Sequence, residues 1–311
     1  MKVAIVGEGE RFDAVASLLG AAGHAICAWR HDGRDADFGE GIEEVELEAL
    51  RETPLIFVAV PMSSLRLVAR AIGDVLTGRH AVVHASHSLE AGSLATGSDV
   101  LREETPTRRF GFVTGPMRSD DVQRGLPASG VCASAFPEVW ELAEEALVHP
   151  GFRLYRSTDI AGAEIAAAYT RIIAMAAGVA HEMKLGHSVQ ATLFARGLAE
   201  AARFAASRGA NERTTFGLAG AANLHLDTTA PGSPDFRVGR HALAARRFDA
   251  AEIAATFGTT GRDLLQLVES LAAGSPAVRT HILHACHSMV SGASSPEEAV
   301  ARLMTLPALD D

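Results

Sequence analysis

Hydrophobic and polar positions follow two regimes along the chain. In the first half, short apolar runs alternate with stretches of helical spacing. Residues 2–6, 24–29, 55–60 and 81–84 read as strands, and 14–22 and 64–75 as helices. Further strand signals fall at 110–114, 129–133 and 152–155, with a helix at 137–147. Such alternation predicts a parallel sheet, because parallel neighbours need a crossover between them. Beyond Asp159 strand signals stop, and alanine-rich helical patterns cover 164–183, 191–208, 240–246, 260–273 and 277–290. The expected fold is an α/β Rossmann-type N-terminal domain with a parallel sheet over 1–157, followed by an all-α C-terminal domain over 158–311. A length of 311 residues suits two domains. Residues 227–235, with two prolines, Gly232 and Ser233, read as an exposed loop. No repeat of fixed period is present.

Composition narrows the class. With 48% hydrophobic and 21% charged residues, the chain has ample material for large cores. A net charge of −10 argues against a partner bound through a phosphate backbone, so no nucleic acid is expected. Of the 28 basic residues only Lys2 and Lys184 are lysines, which limits the available chemistry. Three cysteines, Cys27, Cys132 and Cys286, make an odd set in apolar surroundings and read as reduced core residues. Met1 runs directly into a strand and no 18-residue apolar run follows. A cytoplasmic protein without a membrane span is the expectation.

The first chemical signal is Gly7-Glu8-Gly9, placed between a strand and a helix. In that context the first glycine permits a tight turn and the second lets backbone approach a pyrophosphate. The helix N-terminus supplies amide donors. The third glycine of the pattern is replaced by Phe12, whose ring either displaces the helix or turns into the dinucleotide's space. Glu8 and Glu10 add negative charge near a pyrophosphate. A strand-to-helix turn also favours glycine without any ligand, and acids there complement the helix dipole. The second strand ends in Trp29-Arg30-His31 instead of an acid, so a bound nicotinamide cofactor is expected to be NADP in preference to NAD.

Further along, the chain resembles the NAD(P)-dependent glycerol-3-phosphate dehydrogenases. The resemblance rests on Gly7-Glu8-Gly9, Val58-Ala59-Val60-Pro61, Gly115-Pro116-Met117, Gly125-Leu126-Pro127-Ala128, Ser157-Thr158-Asp159 and Gly162-Ala163-Glu164. It continues through Ala174-Met175-Ala176-Ala177-Gly178, Arg196-Gly197-Leu198-Ala199-Glu200, Thr215-Phe216 and Leu218-Ala219-Gly220. Collinearity of these weak markers carries the assignment. It implies a dinucleotide site that includes Pro61, and a homodimer formed through the helical domain.

The resemblance fails at the catalytic positions. His87, in His84-Ala85-Ser86-His87-Ser88-Leu89-Glu90, stands where the family has a lysine. Thr170-Arg171 matches the family's Lys-Asn pair, and Asn223 matches the aspartate of its Gly-Asp-Leu. Ser188 replaces an asparagine, and Ser233-Pro234-Asp235 replaces the Ser-Arg-Asn that grips the substrate phosphate. Reducing a ketone builds negative charge on its oxygen, so loss of a positioned cation or acid costs about 10²–10⁴-fold. Lys184 lies roughly four helical turns from Thr170 and cannot substitute directly. The main expectation is a degenerate homologue, inactive on glycerol 3-phosphate and kept for a binding or regulatory role with a small-molecule ligand. One alternative is a reductase of another carbonyl or imine with His87 as acid, and another a weak dehydrogenase of the inherited kind. Against a functional His87 stands the reading of His80, His84 and His87 as one polar strand end. Tyr169 reads as a core aromatic. His281, His284 and His287 share a helix face, but without a fourth ligand they read as a polar surface and no metal is expected.

Overall fold

In the computed structural model, which describes residues 1–31, 38–229, 233–245, 248–274 and 278–305, eight strands form one sheet. They are β1 (Lys2–Gly7), β2 (Ala25–Trp29), β3 (Ile42–Glu44), β4 (Leu55–Ala59), β5 (Ala81–His84), β6 (Arg109–Thr114), β7 (Ala128–Ala133) and β8 (Phe152–Ser157). Their order is β3-β2-β1-β4-β5-β6-β7-β8. The chain steps outward from β1 to β3 and returns beside β1 as β4. This reversal opens a crevice at the carboxyl ends of β1 and β4, where open α/β sheets bind ligands. β4 and β5 are buried along their whole length, which explains why they read as unbroken apolar runs.

One correction concerns direction. All neighbours are parallel except β6 and β7, which run antiparallel with Val113 opposite Cys132. Apolar spacing reports a strand but not its sense. The link between these two contains only the five-residue α4 (Ser119–Gln123), not a full crossover helix. The remaining helices of this unit are α1 (Glu10–Ala21), α2 (Met62–Gly73), α3 (Gly97–Glu104) and α5 (Pro137–Leu147). α1 and α5 cover one face of the sheet, with Val15, Leu19 and Val139 in its core, and α2 and α3 cover the other, with Leu65, Ile72 and Leu101.

Among the described residues, everything after β8 is helical or turn: α6 (Ile160–Glu182), α7 (Gly186–Ser207), α8 (Asn223–Thr229), α9 (Pro234–Ala244), α10 (Ala250–Gly274, broken at Gly258), α11 (His281–Val290) and α12 (Pro296–Met304). The chain divides into one unit of Met1–Leu89 with Ala95–Glu164, and a second of Glu90–Leu94 with Ile165–Asp311. α6 and α9 approach backbone to backbone. A Cβ on Gly178 would stand 2.0 Å from the Phe236 carbonyl oxygen, and one on Gly239 2.0 Å from that of Met175. α6 alone among the described helices has the length and apolarity to cross a membrane, yet 89% of its apolar window is buried inside the protein, as in a core helix.

The expected exposed loop at 227–235 also needs correction. Asp227–Thr229 ends α8, while Ser233 stands at the N-cap position of α9 without a side-chain capping bond and Pro234 opens the helix. Ser233 and Asp235 are buried. Residues 230–232 lie outside the described residues, as do 246 and 277, which bounded two expected helices. Cys27, Cys132 and Cys286 are free and buried, and burial pushes the thiols of Cys132 and Cys286 up to about 12.

Candidate active site

The glycine turn has the geometry that a nucleotide needs. Gly7 adopts φ 126°, and a Cβ there would stand 2.2 Å from the Ala59 carbonyl oxygen, so only glycine lets β1 turn so close to β4. Gly9 adopts φ 88° with nothing within 4 Å of a Cβ position, leaving the backbone open to an approaching group. No side chain caps the start of α1. These features fit a dinucleotide pyrophosphate.

Other residues singled out by sequence fall around this turn. Glu8 faces Arg30 at 3.6 Å, so one of the two acids is already matched. The Arg30 guanidinium lies 4.5 Å from the centre of the Phe38 ring. Pro61 leads β4 into α2. Phe12 packs among Val3, Ile5, Val15 and Ile26 with its ring 5.4 Å from Phe38. It is 3% exposed, so the helix–sheet layer absorbs the ring that was expected to crowd the nucleotide.

The three histidines near β5 do not form one polar end. His80 precedes the strand and bonds the Arg51 carbonyl oxygen through Nε2 at 3.0 Å. His84 is buried against Glu164, Nε2 to Oε1 2.8 Å, and the Ser98 amide donates to the same carboxylate oxygen at 2.7 Å. Its ring stacks on Phe112, 4.8 Å between centres. Glu164 entered the sequence reading only as part of a marker, and its pairing with His84 has no local signal. His87 lies edge-on to Phe112, 5.4 Å between centres. Arg11 Nη1 stands 2.8 Å from His87 Nε2. A guanidinium can only donate, so Nε2 accepts and the ring's proton sits on Nδ1. In this state Nε2 has no proton to give.

In the second unit the residues expected at catalytic positions are engaged with their own scaffold. Thr170 is 1% exposed and its hydroxyl donates to the Ala167 carbonyl one turn earlier, at 2.9 Å. Asn223 Nδ2 donates to the Ala219 carbonyl oxygen at 3.1 Å. Arg171 grips Asp235 with two bonds of 2.9 Å, Nε to Oδ2 and Nη2 to Oδ1, and also donates to the Thr260 carbonyl oxygen. Burial works to lower the Arg171 pKa, but the Asp235 carboxylate, with Asp263 and Asp227, outweighs it and holds the value raised. The acid in the sequence Ser233-Pro234-Asp235 is therefore the partner of the arginine beside Thr170. Sequence reading placed these residues separately and missed the pair.

Tyr169 is a core residue whose hydroxyl donates to Glu200, 3.3 Å away. Glu200 also accepts from the Ile282 and Leu283 amides at the start of α11, at 2.8 and 3.3 Å. Burial and the neighbouring carboxylate push the Tyr169 phenol well up, and burial raises the Glu200 carboxyl. His284 bonds the Thr280 carbonyl oxygen at 2.7 Å, and no cluster of metal-binding residues occurs among the described residues.

Comparison with known proteins adds the following. The family model described as NAD-dependent glycerol-3-phosphate dehydrogenase N-terminus matches residues 42–139, and the model of the same family's C-terminus matches 159–301. His87 falls in the first range, and Thr170 and Asn223 in the second. The glycine turn lies outside both. A glycerol-3-phosphate dehydrogenase (NAD(P)+) of Pseudomonas entomophila is 33% identical over 259 residues, covering 78% of this chain and 75% of that protein. One from Sphingopyxis alaskensis is 32% identical over 295 residues, covering 84% and 88%. The crystal structure of glycerol-3-phosphate dehydrogenase from Coxiella burnetii superposes with a TM-score of 0.89 at 24% identity, covering 98% of this chain and 99% of that one. At that identity the superposition speaks for the fold.

Proposed function

This chain belongs to the NAD-dependent glycerol-3-phosphate dehydrogenase family, and from that premise we propose that it binds a nicotinamide dinucleotide without turning over glycerol 3-phosphate as its relatives do. The observation that carries this reading is the closed polar set of the second unit. Thr170 and Asn223 bond their own helical backbone, and Arg171 is gripped by Asp235. None of these side chains is an ammonium or acid poised for a substrate. The chain's two lysines lie elsewhere, Lys2 at the start of β1 facing Glu43 of β3 and Lys184 after α6. A bound dinucleotide would supply or accept a hydride. The chain must then stabilise charge on the substrate oxygen, and lacking that donor it loses about 10²–10⁴-fold.

Gly7 and Gly9 would carry the pyrophosphate, and Arg30 would favour the 2′-phosphate of NADP over NAD. The role is then that of a cytoplasmic binding or regulatory protein, a homodimer responding to a small-molecule ligand. A second reading, reduction of a different carbonyl or imine, draws on His87, held by Arg11 at the carboxyl edge of the sheet. The test is a steady-state assay with dihydroxyacetone phosphate and each reduced nicotinamide, beside an active relative. The expected rate is at least about a hundredfold below the relative's. A rate within tenfold of it overturns the proposal.

A further inference from the structure

The contact between Arg11 and His87 joins two segments that the sheet order keeps apart. Arg11 belongs to the first turn of α1, after β1, and His87 follows β5. β4 lies between those strands. Neighbouring strands are about 4.8 Å apart, so the bridge spans roughly 10 Å across the end of β4. Both loops are fastened to that end. The Glu8 amide donates to the Ala59 carbonyl oxygen at 3.3 Å, the Ala85 amide to that of Val58 at 2.9 Å, and the Ser86 hydroxyl to that of Val60 at 2.7 Å. The bridge therefore closes over the crevice in which an open α/β sheet takes its ligand.

The charges at the turn decide what Arg11 does next. From Gly7 to Asp13 it is the only basic residue, among Glu8, Glu10 and Asp13. Arg30 already faces Glu8. A pyrophosphate arriving at α1 would meet Glu10 and needs a cation. The Arg11 bond to His87 is to a neutral ring, whereas an arginine–phosphate pair gains full charge attraction and bidentate geometry. Phosphate should win the exchange.

We propose that Arg11 is a latch, bridging the glycine turn to His87 when no dinucleotide is present and transferring its guanidinium to the pyrophosphate when one binds. This rests on the reading that the turn binds a dinucleotide. Release also frees His87 Nε2, the ring atom now occupied as an acceptor, so dinucleotide binding and the availability of the imidazole become one event. Arg11 is in this sense a positioning residue for His87 as well as a ligand-binding one.

The experiment is calorimetric titration of NADPH and NADH into the parent chain and into the Arg11→Gln, Arg11→Lys and His87→Ala variants. The His87 ring nitrogens are followed by NMR in the first three. Arg11→Gln should weaken binding by about tenfold or more, with Arg11→Lys restoring part of it. His87→Ala should tighten binding severalfold, since no bridge has to be surrendered. The His87 signals of the parent should move, on adding NADPH, toward those of ligand-free Arg11→Gln. A purely structural bridge would leave those signals in place. If the parent binds either dinucleotide but Arg11→Gln binds it equally well, or the His87 signals do not move, the latch is overturned while the dinucleotide reading stands. If the parent binds neither at millimolar concentration, the dinucleotide reading falls and the latch with it.

Discussion

If Arg171 serves Asp235 and not a ligand, removing either partner should cost stability in the second unit, and removing both should cost much less. The pair is buried, 9% and 10% exposed at the side chains, and bidentate. Asp235→Ala takes from the buried guanidinium the carboxylate that grips it through two bonds. Breaking a buried pair by removing one partner costs about 3–5 kcal/mol, whereas replacing both members with apolar groups of similar volume is often neutral or stabilising. With a urea dependence of about 2 kcal/mol per molar for a domain of this size, the single variants should unfold roughly 1.5–2.5 M earlier. Arg171→Met with Asp235→Leu should recover most of that. The chain offers separate probes. Its two tryptophans, Trp29 and Trp140, both lie in the first unit, while the second is helical among the described residues. Circular dichroism at 222 nm should therefore record the early transition while tryptophan fluorescence keeps its parent midpoint. A loss below about 1 kcal/mol in Asp235→Ala, the scale of an exposed pair, would refute the closed-set reading and make Arg171 a candidate ligand-binding cation.

Two further outcomes follow from the buried groups. Phe12→Ala should cost about 3–5 kcal/mol, seen as an earlier fluorescence transition, because the ring is 3% exposed in the core; a stable variant with tightened dinucleotide binding would instead restore the view that the ring obstructs the turn. Glu200 has a carboxyl raised by burial, so its native form holds a proton more tightly than the unfolded chain does. Its contribution is fully present below the ordinary glutamate range near pH 4.3 and is lost as pH rises through the raised value. Glu200→Gln should accordingly flatten the fall in stability from about pH 4 to neutrality, measured as urea midpoints across that range, and an unchanged slope would contradict the burial argument.

How much of this was legible depended on the distance over which each signal acts. The buried strands announced themselves because a strand covered on both faces leaves a continuous apolar run, as in Leu55–Ala59. α3 and α12 escaped the periodicity reading although each carries a local start signal, the capping boxes of Thr96 with Asp99 and Ser295 with Glu298. The opening of α9 was legible too: Ser233-Pro234 is a cap residue followed by proline at the first helical position, but two prolines and a glycine nearby gave it the look of a loop. The pairs on which the proposed function rests have no such local mark. Arg11 is 76 positions from His87, and Arg171 is 64 from Asp235. The resemblance marks departures one at a time: a lysine expected at 170, an arginine expected at 234, and an asparagine expected at both 171 and 235, where this chain has Arg171 and Asp235. Only the approach of α6 and α9 at Gly178 and Gly239 turns two of these changes into one compensated exchange, in which the arginine beside Thr170 is neutralised by the acid gained on α9. That compensation explains why the acid at 235 can be buried, and it implies that Thr170→Lys would set a second cation beside a guanidinium whose carboxylate is already taken.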